Sequence, residues 1–160
     1  MNKLKVVVLG DSHRDTSSID MIGDVLKEAE LVIHNGDNYK DLVYIQDHYN
    51  PNAIGVRGNC DLEESVAEER LEIIEDKRVF ITHGHRYGVK YGLSGIFYKG
   101  KELKADLVIF GHSHMPVNLI EDGMVLLNPG SVSLPRGNST RSFASLEIKD
   151  SINVEIIELK

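Results

Sequence analysis

Short apolar runs that stop abruptly at polar, reactive residues recur along this chain. Val6 to Leu9 meets Gly10-Asp11-Ser12-His13, and Leu31 to Ile33 meets His34-Asn35-Gly36-Asp37-Asn38. Ala53 to Val56 runs to Gly58-Asn59-Cys60-Asp61, Val79 to Ile81 to Thr82-His83-Gly84-His85, and Leu107 to Phe110 to Gly111-His112-Ser113-His114. Stretches of helical spacing lie between them. From Ser17 to Glu30 the residues Ile19, Ile22, Val25, Leu26 and Ala29 share one face, with Ser17 as the expected N-cap. Asp41 to Tyr49 reads as a second helix ended by Asn50-Pro51, and Val89 to Phe97 as a third despite Gly92 and Gly95. Continuous apolar runs alternating with helices predict βαβ units and a largely parallel sheet.

The acidic stretch Leu62 to Glu69 is expected to be a solvated helix or loop, followed by strand-like Leu71 and Ile73. After residue 116 the character turns to β: Val117 to Ile120, the turn Glu121-Asp122-Gly123, and Val125 to Leu127 before Asn128-Pro129-Gly130-Ser131. Phe143 to Ile148 and Val154 to Leu159 flank Lys149-Asp150-Ser151 and predict a terminal hairpin. No linker, fixed-period repeat or low-complexity segment interrupts residues 1–160, which read as one domain.

Composition narrows the choice of function. With 160 residues, 41% of them hydrophobic and 27% charged, the chain has the profile of a folded globular domain. No apolar run approaches the roughly 18 to 20 residues that span a bilayer, and the N-terminal MNKLKVVVLGD reads as a first strand rather than a secretory leader. The single cysteine, Cys60, cannot form an internal disulfide, which points to the cytoplasm. A net charge of -7 argues against binding long nucleic acid through a basic surface, so any phosphate must be attracted locally.

The strand ends supply such a locus. In open α/β sheets, loops beyond the carboxyl ends of parallel strands converge on one crevice. Here they would bring together Asp11, His13, Asp37, Asn59, His83, His112 and His114: two carboxylates, one amide and four imidazoles. This mixed O/N set suits manganese, iron, zinc, nickel or cobalt better than calcium. Seven groups exceed the needs of one tetrahedral ion and suit a pair sharing a carboxylate. Gly10, Gly36, Gly58 and Gly111 each precede a candidate ligand, where a missing Cβ permits a sharp turn and close approach of a substrate. His34 and His48 fall outside this pattern and read as structural or surface residues.

Asp11-Ser12-His13, Gly36-Asp37, Gly58-Asn59-Cys60-Asp61, His83 and Gly111-His112-Ser113-His114 resemble the signature of the calcineurin-like metallophosphoesterases. The short length, Cys60 and Asn128-Pro129-Gly130-Ser131 are most similar to the small bacterial and archaeal phosphodiesterase branch, whose fold the retromer sorting subunit shares. The resemblance implies a four-layer α/β/β/α sandwich of two mixed sheets. It further implies one ion held by Asp11, His13, Asp37 and His114 and another by Asp37, Asn59, His83 and His112, with Asp37 bridging.

The expected activity is phosphodiester hydrolysis, in which a hydroxide shared by two divalent ions attacks phosphorus in line. Manganese is the first choice of metal, with nickel, cobalt, iron, zinc and magnesium as alternatives. Asp37, Asn59, Cys60 and His85 are the candidate catalytic residues, and Asn38, His85, Ser131 and Arg136 the candidate contacts to a small phosphodiester or phosphorylated substrate. Many family members carry histidine where Cys60 stands, so a general-acid role and a packing role for the thiol are both open. The competing readings are a protein-binding scaffold, a phosphomonoesterase or nucleotide phosphatase, and a structural metal domain. An oligomer is compatible with all of them.

Overall fold

A computed structural model describes residues 3–62 and 65–159. Its elements run β1 (Leu4–Leu9), α1 (Thr16–Asp20), α2 (Gly23–Glu28), β2 (Leu31–His34), α3 (Tyr39–His48), β3 (Ala53–Gly55), β4 (Glu69–Ile74) and β5 (Lys77–Thr82). The chain continues through α4 (Ser94–Glu102), β6 (Leu107–Ile109), β7 (Val117–Glu121), β8 (Met124–Asn128), β9 (Ser142–Ile148) and β10 (Ile152–Glu158). The strands form two five-stranded sheets, ordered β10-β9-β1-β2-β3 and β4-β5-β6-β8-β7.

Both sheets are mixed. β1, β2 and β3 are parallel, as are β5, β6 and β8, whereas the terminal β9–β10 hairpin and the outer strands β4 and β7 pair antiparallel. The C-terminal hairpin thus completes the N-terminal sheet by pairing β9 with β1, in the register Val6 to Leu146.

Alternation along the strands produces the layers. Val6 and Val8 point into a core shared with Ile81, Leu107, Ile109, Leu127 and Leu146, which lies between the two sheets. Val7 and Leu9 point the other way and pack with Ile19, Leu26, Leu42 and Ile45 from α1, α2 and α3. On the far sheet Phe80, Val108 and Leu126 likewise turn outward against Ile96 of α4. Strands buried on both faces explain why the sequence shows continuous apolar runs there rather than alternation. The result is the expected α/β/β/α arrangement.

Three expectations change. The single helix over Ser17–Glu30 is two, α1 and α2, and the cap is Asp15, whose carboxylate accepts from the Ser18 N–H at 3.2 Å. The break admits Tyr49: a Cβ on Gly23 would lie 2.5 Å from its ring. The third helix begins at Ser94 instead of Val89, because Gly88 takes a left-handed φ of 62° and the following residues turn. Val89 is nevertheless buried beside Ile96. The acidic stretch ends inside a strand, with Glu69 opening β4, while Glu63 and Glu64 lie outside the described residues.

Candidate metal centre

The loops following β1 and β2 are stitched together by backbone bonds from Asp11 N–H to Gly36 O (3.0 Å) and from His13 N–H to Asp37 O (2.9 Å). Those following β5 and β6 are joined by Gly111 N–H to His83 O (2.9 Å). Side chains then tie one sheet to the other. Asn35 donates to Phe110 O at 2.8 Å, His83 Nδ1 donates to Asn35 O at 3.0 Å, and Asp11 Oδ2 accepts from His112 N–H at 3.0 Å. Residues a hundred positions apart are thereby fixed around one point.

Asp11, His13, Asp37, His112 and His114 all adopt left-handed φ values, between 46° and 71°. Each such non-glycine residue costs roughly 1–2 kcal/mol, a strain that persists only where surrounding contacts over-determine it. Here it turns five candidate ligands towards the same centre.

The ligand atoms fall into compact groups. Asp11, His13 and His114 each offer an atom within 4.8 Å of the other two, and so do Asp37, His83 and His112. His13 Nε2 lies 3.2 Å from His114 Nε2, which is 3.5 Å from Asp11 Oδ1. Asp37 Oδ2 faces both groups, 3.2 Å from His83 Nε2 and 3.8 Å from His13 Nε2. Hydrogen bonds on the far nitrogens orient the rings: His114 Nδ1 donates to Leu134 O at 2.6 Å, as His83 Nδ1 does to Asn35, leaving each Nε2 towards the carboxylates. A third group contains His13, Asp37 and Cys60.

Two atoms test whether cations fit. Asp11 Oδ1 and His83 Nε2 are buried and have no hydrogen-bond partner among the described residues. An acceptor and a ring nitrogen orphaned side by side, 3.7 Å apart, are costly in a protein interior and are satisfied by a shared positive ion. The residues therefore fit a divalent metal. Burial pushes the Asp11 carboxyl up to about 7, with Asp37 adding to the rise while His83, the His112 N–H and Arg136 oppose it. Burial also tends to raise Asp37, but the His83 imidazole beside it and the Cys60 N–H hold it well below the usual carboxylate range. Burial lowers His112 and His114 to about 4, so both are neutral donors at physiological pH.

The other site residues fare unequally. Asn59 is exposed in the turn after β3 and makes no hydrogen bond among the described residues. Cys60 is exposed, its N–H held by Asp37 Oδ1 at 3.0 Å; burial first, then the charge of Asp37, pushes its thiol upward. His85 is half-buried with Nδ1 unpartnered among the described residues, its ring 5.6 Å from that of His83 and 6.2 Å from that of His112. Arg136 is exposed on the loop whose N–H meets His114 O, and its charge acts on Asp11, His13 and His114. Asn38 is buried between Asp37 and α3.

Ser131 is a correction. It is fully buried, and its hydroxyl donates to Asp11 O at 2.6 Å while accepting from Leu134 N–H, so it braces the back of the site rather than lining a pocket. The glycine reading also shifts. A Cβ on Gly10 or Gly111 would strike Asn35, and one on Gly58 would strike Asp37, so these positions admit the protein's own side chains rather than a substrate. Gly36 does occupy a left-handed φ, 109°.

Asp61, quoted in the motif but given no role from sequence, is buried and accepts from Asp37 N–H, Gly58 N–H and Tyr39 N–H at 3.2, 2.8 and 2.8 Å. Its adjacency to Gly58-Asn59 was the available signal.

Carboxylates and imidazoles gathered at the carboxyl ends of parallel strands, between two facing mixed sheets, define a metal-binding α/β protein. Residues 4–151 match the calcineurin-like phosphoesterase superfamily domain, and the chain belongs to that superfamily. Membership implies phosphoester hydrolysis with divalent metal ions.

The chain is 34% identical over 148 residues to the probable metallophosphoesterase YsnB of Bacillus subtilis, covering 92% of this chain and 86% of that one. It is 33% identical over 102 residues to the phosphodiesterase YfcE of Escherichia coli K12, covering 59% of this chain and 52% of YfcE. The crystal structure of Vps29 from Entamoeba histolytica, determined with zinc, superposes with a TM-score of 0.78 at 22% identity, covering 96% of this chain and 98% of that one. That last likeness shows the fold alone. Among the described residues no helix is long and apolar enough to cross a membrane.

Proposed function

We propose that residues 1–160 act as one cytoplasmic metallophosphoesterase domain that hydrolyses small phosphodiesters with two divalent cations, manganese first among them. The observation that carries this reading is the pair of ligand groups, Asp11/His13/His114 and Asp37/His83/His112, with Asp37 Oδ2 facing His13 as well as His83. Asp11, His13, Asp37 and His114 would hold one ion, and Asp37, Asn59, His83 and His112 the other. When bound, such a pair lowers the pKa of water and offsets charge on the phosphoryl oxygens.

The chain's own residues supply the remainder. The fixed ring orientations of His83 and His114 spare reorganisation on binding. Arg136, His85 and Asn38 are the groups for orienting the substrate, and Cys60 and His85 those for protonating the leaving oxygen. The diester preference is supported by the name of YfcE, and the net charge of -7 disfavours a long polyanion as substrate.

The test is turnover of a chromogenic phosphodiester and the matching monoester after reconstitution with manganese, nickel, cobalt, zinc or magnesium. Wild type should prefer the diester, and Asp37→Asn should lose the activity while remaining folded. Absence of turnover with every metal would favour a protein-binding scaffold, and faster monoester cleavage would favour a phosphatase.

A further inference from the structure

His34 and Asp41 are buried ionisable residues that no step above uses. They meet at Ser12, the middle residue of Asp11-Ser12-His13. Gly36 N–H donates to His34 Nδ1 at 3.2 Å, which makes Nδ1 the unprotonated nitrogen and leaves Nε2–H to donate to Ser12 Oγ at 2.9 Å. The Ser12 hydroxyl in turn donates to Asp41 Oδ2 at 2.5 Å, and the same oxygen accepts from Arg14 N–H at 2.8 Å. Every proton on this chain of groups has one destination. His34, Ser12 and Asp41 are at most 2% exposed, so none of them can reach a substrate.

The placement of the network says what it does instead. At one end it grips Gly36, whose φ is 109° and which precedes Asp37; at the other it grips Arg14, φ 66°, which follows His13. Between them it fixes Ser12, flanked by Asp11 and His13 at φ 48° and 47°. The strained backbone of two ligand loops, one from β1 and one from β2, is thus anchored to α3 through Asp41.

We propose that His34, Ser12 and Asp41 are positioning residues, a buried strut that sets the geometry of both loops and thereby the affinity of the site for its ions. This rests on the metal-binding reading above and deepens it. Groups that orient ligands without touching the metal typically govern about 10–100-fold in metal affinity.

Calorimetric titration with manganese, paired with thermal unfolding of the metal-free protein, tests the strut. Ser12→Ala orphans His34 Nε2–H and removes one of the two donors to Asp41 Oδ2, cutting the link between the two loops, and should weaken the tightest manganese site by about 10-fold or more. Asp41→Asn keeps an acceptor oxygen for Ser12 and Arg14 and should bind more tightly than Asp41→Ala. Leu26→Ala, in the core beneath α2, lowers stability without touching either loop and should keep wild-type affinity.

The proposal is overturned if Ser12→Ala binds manganese as wild type does, or if Leu26→Ala loses as much affinity. Should Ser12→Ala fail to fold, His34→Gln decides, since it can still reach Ser12 but gives up the acceptor for Gly36 N–H. Fewer than two manganese ions on the wild type would overturn the dinuclear reading instead, and the strut would then be judged on the remaining site.

Discussion

Replacing Gly58 by alanine adds one methyl group at the point where the chain passes closest to the bridging candidate. A Cβ there would lie 2.1 Å from Asp37 Oδ1, 2.7 Å from Asp37 Cγ and 2.9 Å from Asp37 N, where ordinary contacts begin at 3.4 Å. Gly58 is not among the residues of left-handed φ, so the conflict is one of space alone. The carboxylate cannot simply swing aside. Oδ1 is held by Cys60 N–H, and the backbone N–H groups of Asp37 and Gly58 share the Asp61 carboxylate.

Relief therefore requires a shift of roughly 1 Å in Asp37 or in the Gly58 turn. Overpacking of this kind costs about 2 kcal/mol, or about 4–8 °C in Tm for a chain of this size. A displacement of about 1 Å at a reacting centre lowers the rate by about 100-fold. The assay is differential scanning calorimetry alongside diester turnover in saturating manganese, with Gly92→Ala as control, since a Cβ at Gly92 meets nothing within 4 Å among the described residues. Wild-type Tm and turnover in Gly58→Ala would refute both the packing argument and the placement of Asp37 at the centre.

Cys60→His should preserve or raise diester turnover, because it restores a nitrogen proton donor beside Asp37; collapse of activity with both ions retained would show that no general acid is wanted there. Asp61→Asn exchanges one acceptor oxygen for an amino group and leaves at least one buried N–H among Asp37, Tyr39 and Gly58 unpaired, costing about 2 kcal/mol. Chemical denaturation measures that loss, and an unchanged midpoint would contradict it. Asp11, with its carboxyl raised to about 7, stabilises the metal-free protein fully below its unfolded value of 3.8 and loses that contribution as pH rises through about 7. Because a cation must displace that proton, the increase in Tm produced by manganese should be larger near pH 8 than near pH 6; equal increases would exclude Asp11 as the displaced group.

Sequence alone determined which strands exist and what stands at their ends. Those features are local: a run such as Leu107 to Phe110 is apolar because both faces of its strand are covered, and the Gly-His-Ser-His that follows is legible without knowing what it meets. Tertiary structure decided how the end groups are used. The left-handed backbone at five candidate ligands, the orphaned Asp11 Oδ1 and His83 Nε2, and the bracing role of Ser131 arise from contacts such as Ser131 to Asp11, 120 residues apart.

The same distinction explains the misplaced helices. Periodicity placed Ile19, Ile22, Leu26 and Ala29 in the core but also Val25, which is exposed, and the helix is interrupted just before Gly23, where Tyr49, arriving from another helix, occupies the space of a side chain. Whether a hydroxyl, a carboxylate or a missing Cβ serves the ligand loops or the solvent depends on which distant backbone group reaches it, and no local pattern encodes that.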